Sequence, residues 1–316
     1  MLRLGIDLGG TKIEAALLDP HGVTVWKKRI ASPQHSYDAT LNAIQSLVAD
    51  AKAWAVSGTV SDTALSIGIG IPGSLSPTTG LVRNANSTWL NGQSLKKDLE
   101  ALLGQPVQMA NDANCLALSE SVDGAGQGAS SVFGVILGTG VGGGFAIHQQ
   151  VLQGTNRIAG EWGHTPLPWL SGAEMSRPRR CWCGQEHCLE TYLSGPALVG
   201  EFNETASVSV QRVEEILSAA TNNHDQATAC LDLFYNRLAR ALAMVITIVD
   251  PDVIVIGGGL SNIAAIYTEV PKRWGQWVFS TEPVVTRLVP ALHGDSSGVR
   301  GAAWLDDRVK PLIRLP

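Results

Sequence analysis

Sulfur and imidazole side chains are concentrated in residues 161–190. Three cysteines, Cys181, Cys183 and Cys188, lie within eight residues of one another, and His164 precedes them. Three thiolates and one imidazole are the four ligands that a closed tetrahedral zinc site requires. A zinc ion with four protein ligands has no open position for chemistry, so we expect a structural ion that orients its neighbours.

Two other interpretations of this cluster stay open, namely ordinary buried thiols and a disulfide. The Cys-x-Cys spacing is tighter than the gap of two to four residues that is usual in zinc sites. However, the chain has five cysteines, and Met1 leads straight into an apolar strand without a secretory signal. An odd number of cysteines in such a chain favours a reducing compartment, where clustered cysteines bind metal more often than they pair.

Acidic residues stand where they could act on a substrate. Glu161 and Glu190 flank the cysteine cluster, and a loop folded around a metal would fix both carboxylates in space. Asn111 and Asp112 lie between a predicted strand and a predicted helix. Asp112 could accept a proton from a substrate hydroxyl, or it could simply cap the helix.

Three glycine-rich turns follow apolar strands. They contain Gly9, Gly10, Thr11 and Lys12; Gly138, Thr139, Gly140 and Gly142; and Gly257, Gly258 and Gly259. Glycine lets backbone amides approach a phosphate closely. Because Asp7 ends the first of these strands, the turns favour a nucleotide with its metal over three plain hairpins.

These turns differ from two familiar nucleotide-binding motifs. The Walker pattern is absent, since no Gly-Lys pair occurs. Gly138, Gly140 and Gly143 satisfy the spacing of a dinucleotide motif, with Glu161 18 residues further on. That motif must open a helix, whereas residues 143–147 have the pattern of a returning strand. The dinucleotide interpretation is therefore the weaker one.

The hydrophobic pattern predicts an α/β protein with a duplicated core. Residues 133–140 repeat the strand and glycine turn of residues 4–11, with Gly134, Leu137 and Gly138 matching Gly5, Leu8 and Gly9. The predicted strands are 2–8, 13–18, 23–30, 66–71, 107–110 and 253–256. The predicted helices are 37–56, 113–122, 210–220, 227–249 and 296–305, and we expect the last to pack on the first domain.

Composition limits the possible functions. The 316 residues are 45% hydrophobic and 16% charged, which is typical of a globular chain long enough for two domains. A net charge of -5 argues against nucleic acid as a partner, because such proteins need a basic surface. The longest apolar run, residues 241–249, is too short to cross a membrane. We therefore expect a cytoplasmic protein.

Taken together, these motifs resemble the ROK family of bacterial sugar kinases, within the actin and hexokinase superfamily. The resemblance covers almost the whole chain, and its motifs follow the family order: residues 7–12, 70–73, 111–112, 137–142, 161–164, 181–190 and 257–259. Residues 84–91 and 293–304 further resemble the family's fructokinases, also called manno(fructo)kinases. His187 departs from the family pattern, which has glycine there, so the turn before Cys188 must be built differently.

The resemblance implies a two-lobed actin-like ATPase or hexokinase (ribonuclease H-like) fold with a cleft between the lobes. The lobes would be residues 1–113, completed by 295–316, and residues 114–294, which carry the zinc loop. ATP and Mg²⁺ would bind Asp7 and the glycine turns, and Asp112 would be the catalytic base. The implied sugar contacts are Gly73, Asn86, Asn111, Asp112, Glu161, His164 and Glu190, with His164 also binding zinc.

The resemblance also implies an activity. We expect transfer of the γ-phosphoryl group of ATP to the C6 hydroxyl of fructose, with mannose as a possible second substrate. A glucokinase or an N-acetylglucosamine kinase of the same family is the alternative. A sugar-responsive regulator without catalysis is the competing class, although the chain starts in the first strand without the DNA-binding module of the family's repressors. A homodimer is expected from the resemblance alone.

Overall fold

The computed structural model describes residues 1–57 and 65–305; part of the predicted C-terminal segment, 306–316, lies outside them. The strands are β1 Leu2–Leu8, β2 Lys12–Leu18, β3 Thr24–Ala31, β4 Leu65–Ile71, β5 Ser74–Leu75, β6 Val82–Arg83, β7 Gln108–Asn111, β8 Ser131–Leu137, β9 Val141–Ile147, β10 Gln150–Val151, β11 Val253–Gly257 and β12 Arg287–Pro290. The helices are α1 Tyr37–Ser57, α2 Leu95–Leu103, α3 Asp112–Val122, α4 Gly172–Met175, α5 Glu190–Leu193, α6 Gly195–Thr205, α7 Val213–Thr221, α8 Asp225–Val249, α9 Ile266–Glu269, α10 Pro271–Trp274 and α11 Ser297–Ala303.

Two five-stranded sheets form the core of the described residues. In both, the strands counted along the chain lie side by side in the order third, second, first, fourth and fifth. The first has the order β3-β2-β1-β4-β7 and the second β10-β9-β8-β11-β12. In the first, β1 to β3 form an antiparallel meander, and β4 and β7 add in parallel. In the second, β9 and β10 are antiparallel and β11 and β12 are parallel. The α/β fold and the duplication expected from the sequence are confirmed.

Glycines in the strands let helices approach the sheets closely. A Cβ on Gly5 would lie 1.9 Å from the carbonyl oxygen of Val299 in α11, and one on Gly68 would lie 1.8 Å from that of Ala302. Gly134 is the counterpart of Gly5 in the sequence repeat, and a Cβ there would lie 2.9 Å from the Cα of Ala117 in α3. The repeated glycine therefore marks the place where a helix packs on each sheet.

Residues buried on both faces of the first sheet explain its stability. The apolar side chains of α1 that recur at helical spacing, Ile44, Leu47, Val48 and Ala51, are buried against β1, β2 and β4. On the other side, α3 and α11 pack together through Cys115, Leu118 and Ala302. The predicted packing of the C-terminal helix on the first sheet is confirmed.

The chain divides into two compact units. The first consists of residues Met1–Gly134, Gly144–Gly160 and Leu292–Pro316, and the second of Val135–Gly143 and Glu161–Ala291. The lobe boundary predicted after residue 113 falls inside the first unit, and the lobes of the sequence analysis stay a prediction. Of the helices in residues 1–57 and 65–305, none is both long and apolar enough to cross a bilayer.

Candidate functional site

Two carboxylates, those of Asp7 and Asp112, lie at the same edge of the first sheet. Asp7 lies at the end of β1 and pairs with Gly70 of β4, while Ile71 at the end of β4 pairs with Asn111 of β7. Because the three strands are parallel, their carboxyl ends lie at the same edge, where ligands bind in open α/β sheets. Asp112 follows β7 directly and opens α3.

These two acids have unusual electrostatics. Burial, reinforced by the negative charge of Asp112, raises the pKa of Asp7 to about 7, while Lys12 acts in the opposite direction. Burial also raises the pKa of Asp112, against hydrogen bonds from Ala113 and Asn111 that lower it. Two like charges held close together in a poorly solvated place are typical of functional sites.

The helix cap at this place is provided mainly by Asn111. Its backbone is extended, and its Oδ1 accepts a hydrogen bond of 2.9 Å from the N–H of Ala113. Asp112 Oδ1 accepts from the same N–H at 2.8 Å. Since Asn111 already satisfies this donor, capping does not require the charge of Asp112, and the capping interpretation accounts for only part of its environment.

Gly73 holds Asn111 in place. The amide of Asn111 donates to the carbonyl oxygen of Gly73 at 3.2 Å. Gly73 has a φ of +71°, and a Cβ there would lie 2.3 Å from the carbonyl oxygen of Arg83. The position therefore requires glycine for both conformational and steric reasons.

The two segments that resemble fructokinases make contacts that stabilise the fold. The side chain of Asn91 both donates to and accepts from the backbone of Ala85 at 2.9 Å, which braces the loop that carries the exposed Asn86. His293 Nε2 lies 3.1 Å from Asp123 Oδ1. These contacts stabilise the first unit and carry no information about which hexose is bound.

The predicted zinc ligands converge in the second unit. The donor atoms of His164, Cys181, Cys183 and Cys188 all lie within 4.8 Å of one another. His164 Nδ1 is 3.6 Å from Cys181 Sγ, and Cys183 Sγ is 3.6 Å from Cys188 Sγ. Tetrahedral zinc with bonds of about 2.0 to 2.3 Å separates its ligand atoms by roughly 3.5 to 3.8 Å. The donor set therefore fits zinc.

The same distances bear on the alternatives for the cluster. A disulfide needs sulfur atoms about 2.05 Å apart, and all five cysteines are free. Cys183 is exposed while Cys181 and Cys188 are buried, so the cluster is not simply part of the apolar core. Because His164 directs Nδ1 toward Cys181, its Nε2 is the nitrogen left for a substrate.

His187, which replaces the family glycine, adopts the left-handed conformation that glycine favours. Its φ is +62°, and its Nδ1 lies 2.7 Å from the hydroxyl of Tyr192. The two rings are stacked with centroids 6.2 Å apart. The turn before Cys188 therefore keeps its backbone shape, and the hydrogen bond to Tyr192 offsets part of the strain of a positive φ.

Glu190 is held at both of its oxygens. Oε2 accepts a 3.0 Å hydrogen bond from the N–H of Val141 at the start of β9, and Oε1 accepts one of 2.7 Å from the indole of Trp182. A Cβ on Gly140 would lie 2.6 Å from Oε2. A side chain at position 140 would therefore displace the carboxylate of Glu190 from the glycine turn.

Glu161 precedes a short 3-10 turn, Trp162–His164, that packs on the beginning of β9. A Cβ on Gly163 would lie 1.9 Å from the carbonyl oxygen of Val141, and the Trp162 indole donates to the carbonyl of Gly142 at 2.9 Å. The sequence Glu-Trp-Gly-His therefore positions Glu161 and His164 beside the strand that follows the second glycine turn.

A cleft of about 680 Å³ opens in the second unit next to two of the glycine turns. It is lined by Gly138 and Thr139 after β8, by Gly195 at the start of α6, and by Gly259 after β11. Apolar side chains of α7, including Val213 and Leu217, form another wall. Backbone amides beside an apolar wall suit a nucleotide, with phosphates on the turns and the base on the apolar side.

Other glycines predicted to bind the nucleotide have packing roles. Gly258 has a φ of +82°, and a Cβ there would lie 2.4 Å from the carbonyl oxygen of Leu137. Gly9 donates its N–H to Lys12 and closes the β1–β2 turn. Residues 141–147 form strand β9, so the dinucleotide interpretation, which requires a helix there, is wrong.

Sequence reasoning missed a buried ion network in the second unit. Glu174 receives hydrogen bonds from Arg237 at 2.8 Å and from Arg240 at 2.7 Å, and Arg237 also binds Glu201. Burial alone would raise the pKa of Glu174, but the hydrogen bonds from Arg240 and Arg237 outweigh it and lower the pKa to about 2. The available signal was a pair of arginines three residues apart, directly before the apolar run of residues 241–246 in α8.

Comparison with known proteins defines the class to which this site belongs. The sequence profile described as "ROK family" matches residues 3–309. N-acetyl-D-glucosamine kinase of Escherichia coli O127:H6 (strain E2348/69 / EPEC) is 40% identical over 305 residues, which cover 95% of this chain and 98% of that protein. The protein is an ATP-dependent sugar kinase.

Solved structures agree with this class. The ROK hexokinase from Thermus thermophilus superposes with a TM-score of 0.82 at 28% identity and covers 97% of this chain and 98% of its own. A ROK family glucokinase from Streptomyces griseus, solved with glucose and AMPPNP, gives 0.76 at 29% identity over 98% and 100%. The chain belongs to the ROK family.

Proposed function

We propose that the acceptor sugar is N-acetyl-D-glucosamine and that the products are N-acetylglucosamine 6-phosphate and ADP. The observation that carries this proposal is the 40% identity to an N-acetyl-D-glucosamine kinase over nearly the full length of both chains. The fructose expectation depended on residues 84–91 and 293–304, whose contacts described above stabilise the fold of the first unit. The comparisons therefore favour the alternative given in the sequence analysis.

Asp112 would be the catalytic base. The oxygen of the C6 hydroxyl attacks the γ-phosphorus, the bond from that phosphorus to the β–γ bridging oxygen breaks, and the hydroxyl proton passes to the Asp112 carboxylate. Because burial raises the pKa of Asp112, its carboxylate is a stronger base than a solvated aspartate. Asn111 orients the start of α3, and Gly73 in turn holds Asn111.

The remaining sugar contacts would come from the residues that the family motifs assign, which are Gly73, Asn86, Asn111, Glu161, His164 and Glu190. Carboxylate and imidazole groups on short rigid turns suit hydroxyl recognition, because they keep their hydrogen-bonding geometry before the sugar arrives. The cluster of His164, Cys181, Cys183 and Cys188 would hold a zinc ion, which supplies a rigid support for this loop.

ATP would bind with its phosphates on the glycine turns and its base in the cleft beside α7. Mg²⁺ neutralises phosphate charge in such transfers. Asp7 would face the metal from the end of β1, and its neighbour Lys12 would face the phosphates. The raised pKa of Asp7 fits a carboxylate whose positive partner is a ligand.

The experiment is a comparison of four sugars with Mg²⁺-ATP, following ADP release. We expect kcat/KM for N-acetylglucosamine to exceed that for fructose, mannose and glucose by at least about tenfold, since a site that pairs polar groups of a substrate rejects analogues that lack them. The Asp112→Asn variant, purified in parallel, controls for contaminating kinases. A preference for fructose would overturn the proposed acceptor, and no ADP release with any hexose would overturn the kinase assignment.

A further inference from the structure

Trp182 stands between two predicted zinc ligands and is 67% exposed. Its indole Nε1 donates to Glu190 Oε1 at 2.7 Å. Its ring meets that of His164 edge to face, with centroids 5.0 Å apart and an interplanar angle of 89°. One exposed side chain in the cysteine loop therefore contacts two residues that we assign to sugar binding.

These contacts fix the direction in which Glu190 points. Glu190 is the first residue of the short helix α5, and the backbone N–H of Val141 binds its other oxygen at 3.0 Å. With one donor on each oxygen, the rotation of the carboxylate is restrained. Each oxygen still has a second lone pair that can accept a hydrogen bond from a sugar hydroxyl.

Packing does not explain a tryptophan at this position. A large apolar side chain stabilises a fold by leaving water, but two thirds of Trp182 stays accessible. The turn itself is closed by backbone hydrogen bonds between Cys181 and Gly184 and between Cys181 and Gln185. A purely structural role predicts that loss of the indole N–H changes nothing measurable.

We propose that Trp182 is a positioning residue for sugar binding, which acts by holding the carboxylate of Glu190 in its binding orientation. The proposal rests on the proposed function to the extent that Glu190 contacts the sugar. It also connects the cysteine loop to the contact between Glu190 and the sugar, since Trp182 lies between Cys181 and Cys183 in the chain.

The test is Trp182→Phe, which keeps an aromatic ring beside His164 and removes the N–H donor. A hydrogen bond to a charged group contributes enough that we expect KM for the sugar to rise about three- to tenfold. We expect kcat, KM for ATP, zinc content and melting temperature to stay near those of the parent protein. The matched control is Trp169→Phe, since Trp169 is 49% exposed in the same unit and packs on Trp277 instead.

A double-mutant cycle tests whether Trp182 acts through Glu190. In the Glu190→Ala background, the proposal predicts that Trp182→Phe changes the calorimetric Kd for the sugar by less than about twofold, because its partner is gone. An equal effect in both backgrounds would overturn the proposal. So would an unchanged or lowered KM for the sugar in the single variant, or a parallel rise in KM for ATP.

The sugar in these measurements is whichever hexose the parent protein phosphorylates best. If that sugar is not N-acetylglucosamine, the proposed acceptor is wrong, while the ratio between variant and parent still decides the role of Trp182. If no hexose is phosphorylated, the Kd of the tightest-binding hexose replaces KM in the same comparison.

Discussion

The two units bury carboxylates in opposite ways. In the first unit, burial raises the pKa of Asp112, and burial together with the negative charge of Asp112 raises the pKa of Asp7 to about 7. In the second unit, the Glu174 side chain is buried as well, yet hydrogen bonds from Arg240 and Arg237 lower its pKa to about 2. Burial acts on the carboxylates in both places, so the opposite pKa shifts come from the charged groups beside them.

This difference separates function from structure. A buried acid with arginine partners is satisfied by the fold and needs no ligand. Two acids held close together without such partners destabilise the folded chain, and a fold keeps them only where a ligand or a reaction uses them. The comparison therefore supports the proposal that the chemistry takes place at the sheet edge of the first unit, while the ion network of the second unit supports the fold.

The largest expected effect belongs to Asp112→Asn. Asparagine keeps the size of aspartate and an oxygen for the N–H of Ala113, but it cannot accept the hydroxyl proton. We expect kcat to fall by about 10²- to 10⁴-fold, with a change of at most roughly 1 kcal/mol in the free energy of unfolding. Steady-state ADP release and thermal denaturation on one preparation check both numbers. Near-normal kcat would reduce Asp112 to a cap.

Glu174→Gln should show the reverse pattern. It removes the charge partner of the buried Arg240 and one of the two charge partners of the buried Arg237, so we expect the free energy of unfolding to fall by about 3 to 5 kcal/mol, while kcat of the remaining folded protein changes little. The control is Glu204→Gln, because Glu204 is 59% exposed and 3.9 Å from Arg179. A stable variant would show that the network contributes little to stability.

The pH dependence of this effect follows from the lowered pKa of Glu174, which is about 2 in the folded protein. Its stabilising contribution is fully present above the unfolded value of about 4.3 and is lost as the pH falls through 2. Chemical denaturation at several pH values should therefore show parent and Glu174→Gln converging toward pH 2.

An intermediate effect is expected for the cysteine cluster. The parent protein should contain about one zinc per chain by elemental analysis, and Cys183→Ser should lose most of it, together with thermal stability and sugar affinity. Cys230→Ser is the control, since Cys230 is buried near Leu198 outside the cluster. Full activity in protein shown to be free of metal would contradict the proposed support.

The smallest effect in this series concerns Asp7→Asn without ATP or Mg²⁺. Because the folded chain keeps the Asp7 proton up to about pH 7 and the unfolded chain releases it near 4, the penalty for Asp7 grows as pH rises between these values. We expect Asp7→Asn to be more stable by roughly 1 to 3 kcal/mol at pH 8 and unchanged at pH 4, while its activity falls. Asp50→Asn is the control, since Asp50 is 41% exposed. If Asp7→Asn were no more stable than the parent protein at pH 8, the ionised Asp7 carboxylate would not destabilise the folded chain.

Local patterns allowed much of the fold to be predicted. The alternation in residues 2–8, the helical spacing from Tyr37 onward and the apolar run of residues 253–256 correspond to β1, α1 and β11. For the elements that were predicted, the errors concern boundaries: β7 is Gln108–Asn111 where residues 107–110 were predicted, and α7 is Val213–Thr221 where 210–220 were predicted. The sequence analysis did not predict helices α2, α4, α5, α6, α9 and α10 or strands β5, β6, β10 and β12.

The site was predictable where its residues are close in sequence. The cysteine cluster spans eight residues, so its spacing alone indicated a ligand set. The ion network was not predictable, because Glu174 and Arg237 are 63 residues apart and only tertiary packing brings them together. The raised pKa of Asp7 and Asp112 likewise depends on burial that no local pattern encodes.

The most direct test of the central claim is a single-turnover measurement of phosphoryl transfer, with enzyme in excess over ATP and N-acetylglucosamine saturating. This measurement separates the chemical step from product release. We predict that Asp112→Asn binds ATP normally and transfers its phosphoryl group at least about 100-fold more slowly than the parent protein. An unchanged rate in this variant would contradict the assignment of the chemistry to the acid pair of the first unit.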